Sequence, residues 1–117
     1  MSNAAEELIV LLNVQIGCLL RYERLKLRLS QQELGLEIGM DSTLIGRIER
    51  ALNFSSWDKI YIYAQYVNIT ATELLSLKTR DDLREIVEKS FILESKKSPS
   101  TKLYYENLKG FINQRYS

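Results

Sequence analysis

Apolar residues recur at three- and four-residue spacing along most of the chain and no stretch alternates with period two, so the pattern predicts helices throughout. Polar start signals divide it. Ser30-Gln31-Gln32-Glu33 has the form of a capping box, in which the hydroxyl accepts a backbone N–H and the glutamate reaches back to the cap. Asp41, Ser55-Ser56-Trp57-Asp58, Thr70-Ala71-Thr72-Glu73 and Thr79-Arg80-Asp81-Asp82 repeat the signal after breaks in the apolar pattern. These marks predict helices over 5–28, 31–38, 42–51, 56–67, 71–77, 81–95 and 101–114. The first shows apolar residues on more than one face, with Leu8, Leu12, Ile16 and Leu19 on one stripe and Leu11, Val14 and Cys18 on another. One stripe suits a core, and the other needs a partner. Near the carboxy terminus, Leu83, Ile86, Val87 and Phe91 form a stripe, as do Tyr104, Leu108 and Phe111, with polar Lys96-Lys97-Ser98-Pro99-Ser100 as the turn between them. This terminal pair is expected either to pack on the first helix or to build a dimer with it.

Composition narrows the chemistry. With 117 residues, 45% of them hydrophobic, the chain can bury one small core. It contains no histidine and a single cysteine, which argues against a disulfide, a zinc site, or a Ser-His or Cys-His catalytic pair. Glu33 and Glu37 stand four residues apart, but capping and a solvated surface explain them; the expectation is a protein that is not an enzyme and holds no cofactor or metal. The longest apolar run, Leu8 to Leu20, is interrupted by Asn13 and Gln15 and is too short to cross a bilayer. No membrane partner is expected, and a reduced, cytoplasmic setting is. The net charge of +1 withholds the simplest argument for nucleic-acid binding. Residues 1–15 are slightly acidic, 16–77 are balanced and 78–117 are mildly basic, so any affinity for phosphate must come from local placement of cations.

Two short helices joined by Ile38-Gly39-Met40-Asp41 have the spacing of a helix-turn-helix, because glycine tolerates the left-handed conformation of so tight a turn. A helical wheel of the second places Ile45, Ile48 and Leu52 on a side that must be buried, and Thr43, Gly46, Arg47 and Arg50 opposite. Gly46 costs its helix about 1 kcal/mol relative to alanine. On an outer face, the missing side chain would allow a close approach to a groove wall or backbone.

The stretch LSQQELGLEIGMDSTLIGRIERA closely resembles the helix-turn-helix of the phage-repressor and Cro-like (XRE) family, with Leu29, Gln31, Glu33, Leu34, Gly39, Ile45, Ile48 and Glu49 where that pattern expects them. The resemblance runs from Ile16 to Leu77. It implies an all-α protein: a five-helix repressor-like domain over 16–77, preceded by an extension of the first helix over 1–15 and followed by a helical pair over 78–117. It further implies that Asp41, Ser42, Thr43 and Arg47 read bases, that Gln31, Arg50 and Asn53 meet the DNA backbone, and that Glu49 pairs with Arg24 on the first helix. An arginine at position 47 suits guanine, whose O6 and N7 accept a bidentate guanidinium. Asp41 serves chiefly as a helix cap, since a carboxylate facing phosphates is repelled.

The chain departs from the family at Ala51, Leu52, Asn53 and Ser55, which stand in place of a usual glycine, two commonly basic loop residues and a usual proline. Asn53 is expected to supply the left-handed residue that ends the helix. The function expected is a sequence-specific DNA-binding regulator that acts as a homodimer on double-stranded DNA. The alternative is a protein-interaction module on the same fold, antitoxin-like or anti-regulator, with weak or no DNA binding.

Overall fold

The computed structural model describes residues 3–117; positions 1 and 2 of the expected amino-terminal extension lie outside the described residues. It is all-helical, with seven helices and no strand among those residues: α1 (Ala4–Lys26), α2 (Gln31–Ile38), α3 (Ser42–Arg50), α4 (Trp57–Val67), α5 (Ala71–Leu75), α6 (Arg80–Leu93) and α7 (Pro99–Arg115).

The start signals act as hydrogen-bonding caps. Ser30 accepts from Glu33 N while Glu33 returns a carboxylate to Ser30 N, and Thr70 with Glu73 repeats the box. Asp41 accepts from Thr43 N at 2.7 Å. The ends depart more from expectation than the starts. The first helix stops at Lys26 rather than 28, and Arg28 takes a left-handed φ of 60° that redirects the chain toward Ser30. The second stops at Gly39, whose φ of 67° suits a residue without Cβ. The seventh begins earlier than expected because Pro99 needs no hydrogen-bond acceptor in a first turn, and Ser98 caps it.

Every residue from Gln15 to Arg21 is buried, so α1 is the axis of the molecule rather than a surface helix. Its two stripes face two cores. Ile16, Leu19 and Leu20 pack with Leu34, Ile45, Ile48, Ile60, Tyr63 and Leu74 from α2 to α5. Leu11 and Cys18 pack with Leu83, Val87, Tyr105, Ile112 and Tyr116 from the carboxy-terminal hairpin. Of the two arrangements expected for α6 and α7, the chain adopts packing on α1. The stripes that suggested a dimerisation device are consumed within one copy. Leu8, placed on the first stripe by periodicity, is exposed, because that stripe enters the core only at Ile16, two turns later.

Two polar anchors join these layers. Gln15 is fully buried and satisfied: its amide donates to the carbonyls of Leu74 and Ser76 at 3.1 and 2.8 Å, and its oxygen accepts from Lys78 N at 2.8 Å. This ends α5 early and fixes the link to α6. At the other end, Arg80 N donates to the carbonyl of Ser117 at 2.9 Å, and the Tyr116 hydroxyl donates to the carbonyl of Leu11.

Candidate functional site

The α2–α3 pair presents the residues singled out in the sequence, and its position is set from behind by Glu49. Glu49 is 2% exposed, and its carboxylate accepts four hydrogen bonds, from Arg24 Nε at 2.7 Å, Arg24 Nη2 at 2.9 Å, Gln31 Nε2 at 3.1 Å and the Tyr63 hydroxyl at 2.5 Å, with Arg21 Nε a further ion contact at 3.6 Å. Bidentate guanidinium–carboxylate geometry is the strongest form of such a pair. Burial opposes the charge on Glu49, but the Arg24 hydrogen bonds and the two guanidiniums outweigh it and hold the carboxyl below its ordinary range. Burial also raises the Tyr63 hydroxyl, which therefore remains a donor.

Two arginines surround one glutamate, so the buried cluster carries an excess positive charge. Arg21 is 4% exposed; its Nη2 donates to the Glu49 carbonyl at 2.8 Å and to the Tyr104 hydroxyl, and its guanidinium lies 4.7 Å from the Tyr104 ring centre and 5.5 Å from that of Tyr105. The aromatic faces stabilise the second cation, since the Glu49 carboxylate is hydrogen-bonded by Arg24 and stands 3.6 Å from Arg21. Burial pulls the Arg21 pKa down, yet Tyr104, Cys18 and Glu49 leave it above the ordinary guanidinium value, so Arg21 stays charged. Through Arg21 the hairpin helix α7 is tied directly to the end of α3.

Close approach makes this possible. A Cβ on Gly17 would lie 2.5 Å from the Glu49 carbonyl oxygen and 2.7 Å from that of Ile48, so only glycine lets α1 press against the carboxy-terminal carbonyls of α3. Neither Gly17 nor Arg21 is among the residues that the sequence pattern singled out. Their signal is an i, i+4 glycine–arginine pair in an apolar helix, which has no meaning until α3 lies across it.

The outward side of α3 differs. Thr43, Arg47 and Arg50 are exposed, as are Asp41 and Ser42 at its start. Asp41 is occupied as the cap. Three expectations are corrected here. Leu52, placed by the wheel on the buried side, is 60% exposed, because the helix stops at Arg50 and the wheel does not extend past its end. The left-handed residue that stops it is Ala51, at φ 53°, rather than Asn53; Asn53 is exposed and its carbonyl accepts only a 3.5 Å contact from Asn13. Gly46 is buried rather than open: a Cβ there would stand 3.0 Å from Nη1 of Arg50, whose side chain folds over it. The glycine accommodates an arginine of its own helix.

Gln31 lies at the start of α2 as expected, with its amide directed to Glu49. Beside it opens a groove of about 910 Å³ between the α2–α3 pair and the turn joining α6 to α7, with Arg21, Arg24 and Glu49 among the lining residues. Trp57 is 45% exposed, and with Leu52, Phe54 and Tyr61 leaves exposed apolar side chains in the α3–α4 loop and on α4. Comparison of the chain with protein-family models, with curated proteins and with solved structures finds no match.

Proposed function

We propose that residues 16–77 form a repressor-like helix-turn-helix unit and that the protein is a sequence-specific DNA-binding regulator. One observation carries the reading: α3 has an inner side locked by a buried ionic cluster and an outer side whose Thr43, Arg47 and Arg50 are exposed. A helix that enters a major groove needs this combination, because base edges are read only by side chains whose backbone does not move. Arg47 is the base-reading residue, with Ser42 and Thr43 as hydroxyl donors at the helix start and Asp41 as the cap. Gln31, Arg50 and Asn53 adjoin the DNA backbone. Because one short helix spans only a few base pairs, two copies act together on double-stranded DNA; the exposed Leu52, Phe54, Trp57 and Tyr61 support a contact between copies better than the α6–α7 stripes do. The setting proposed is cytoplasmic.

The same four side chains favour a second reading, a protein-interaction module, since they leave apolar surface on the α3–α4 loop and α4, with Leu52 at a position where a cation is commonly expected. Titration of a duplex at several salt concentrations separates the two. Under the DNA reading binding is detectable at low salt and falls as salt rises. Arg47→Ala then weakens a selected operator by about 1–3 kcal/mol more than random duplex. An equal loss on both sequences removes base reading from Arg47, and no binding at low salt removes the DNA reading altogether.

A further inference from the structure

The groove beside α2 has an imbalance of partners. Four guanidiniums, Arg21, Arg24, Arg28 and Arg50, line it with three carboxylates, of which only Glu49 is paired with arginine; Glu33 accepts from Ser30 and Glu94 from the Tyr105 hydroxyl at 2.6 Å, neutral donors that leave both acids charged. Its floor holds two guanidiniums against one carboxylate. At its rim, Arg28 and Arg50 are exposed and form no ion pair among the described residues. Arg28 is held there by a left-handed backbone, a conformation that non-glycine residues adopt at a cost and that often marks a functional position. The opposite wall is the first turn of α7, with Ser100 and Thr101. Positive side chains without partners, facing hydroxyls at a helix start, suit an anion. At about 910 Å³ the groove lies toward the upper end of the ~300–1,000 Å³ range of ligand sites.

We infer that this groove is a phosphodiester clamp, in which Arg28 and Arg50 on one side and the first turn of α7 on the other grip the DNA backbone that borders the groove read by α3. The inference rests on the DNA-binding reading above. A duplex carries a ridge of phosphates along each edge of its major groove, so a helix seated there brings one ridge against its flank. On this flank the amide of Gln31 is held by Glu49, and Arg28 supplies the free cation. The hairpin then makes up for the absence of basic residues at positions 52 and 53, and the Arg21–Tyr104 contact sets its distance from α3.

Binding of a short random-sequence duplex, measured by fluorescence anisotropy across a salt series, tests the clamp with two variants chosen to preserve the fold. Arg28→Asn removes the cation while keeping a residue that tolerates the left-handed backbone. Its slope of log affinity against log salt is expected to fall in magnitude by about one. Ser100→Asp with Thr101→Glu adds two negative charges to the far wall while placing acids in the first turn of α7 and completing a capping box with Ser98, so its thermal midpoint is expected to hold or rise. Its duplex affinity is expected to drop by about tenfold or more at low salt. If the unaltered protein binds the duplex and both variants bind as well as it does, the groove lies outside the interface and the clamp is wrong. Tighter binding by the acidic variant also overturns it, because the hairpin would then obstruct DNA. Inorganic phosphate is the third arm: if Arg28→Asn abolishes phosphate binding but leaves duplex affinity intact, the groove holds a small anion and no backbone. Absence of duplex binding by the unaltered protein defeats the parent reading, and the clamp with it.

Discussion

The two sides of α3 answer to different physics within nine residues. Inward, Ile45 and Ile48 are in the core and Glu49 is the hub of a buried ionic cluster that joins α1, α2, α3 and α4, with Arg21 carrying it on to α7. Outward, Thr43 and Arg47 are exposed and make no side-chain hydrogen bond or ion pair among the described residues. One helix is thus over-determined in position and free in surface chemistry, since buried charge fixes geometry while exposed charge is screened.

Removing the hub breaks this contrast most severely. Glu49→Ala leaves two buried guanidiniums without their carboxylate and is expected to cost about 3–5 kcal/mol, read from denaturant unfolding. The pH dependence carries the same signature. Because the folded-state pKa of Glu49 lies below its ordinary 4.5, its contribution is complete above that value and is lost as pH falls through the folded pKa; the alanine variant lacks this acid-side loss. A variant as stable as the parent at neutral pH contradicts the assignment of Glu49 as the hub.

Next in size is Gly17→Ala. A methyl group there meets two α3 carbonyls at 2.5 and 2.7 Å, neither of which can swing away, so about 1–3 kcal/mol of destabilisation is expected despite the better helix propensity of alanine. If chemical denaturation shows alanine neutral or stabilising, α1 and α3 are not pressed together as described.

The smallest effect has the opposite sign and lies at the boundary between the two sides. Ala51 ends α3 in a left-handed conformation that strains a Cβ, and Ala51→Gly is expected to stabilise the protein by about 1 kcal/mol. The gain should appear as a higher thermal midpoint with duplex binding unchanged, because the substitution touches neither the hub nor the outer side chains.

Much of the architecture is legible in the chain. The starts of α2, α3 and α5 follow from Ser30, Asp41 and Thr70, whose side chains satisfy backbone donors within three residues. Such signals are local, so no knowledge of the fold is needed to read them. Helix ends are less legible: α3 stops on Ala51, whose composition gives no warning, and Leu52 is thereby turned from a core position into an exposed one. The Arg24–Glu49 pair follows from the family resemblance and is present as a bidentate contact. Arg21, less than one turn before Arg24 on α1, does not, because a charged residue inside an apolar helix has no partner in its own neighbourhood of sequence. Gly46 illustrates the limit from the other direction, since periodicity places it outward but cannot tell that Arg50 folds over it.

Local pattern is enough to show that the chain is helical, that α2, α3 and α5 start at their caps, and that Ile45 and Ile48 pack, because periodicity and capping act over a few residues. It does not show that α6 and α7 pack on α1, that Gly17 admits the carbonyls of α3, or that one carboxylate answers two arginines. Those outcomes depend on contacts between residues as far apart as Arg21 and Tyr104, and their free energy comes from burial and partnering that no local pattern encodes.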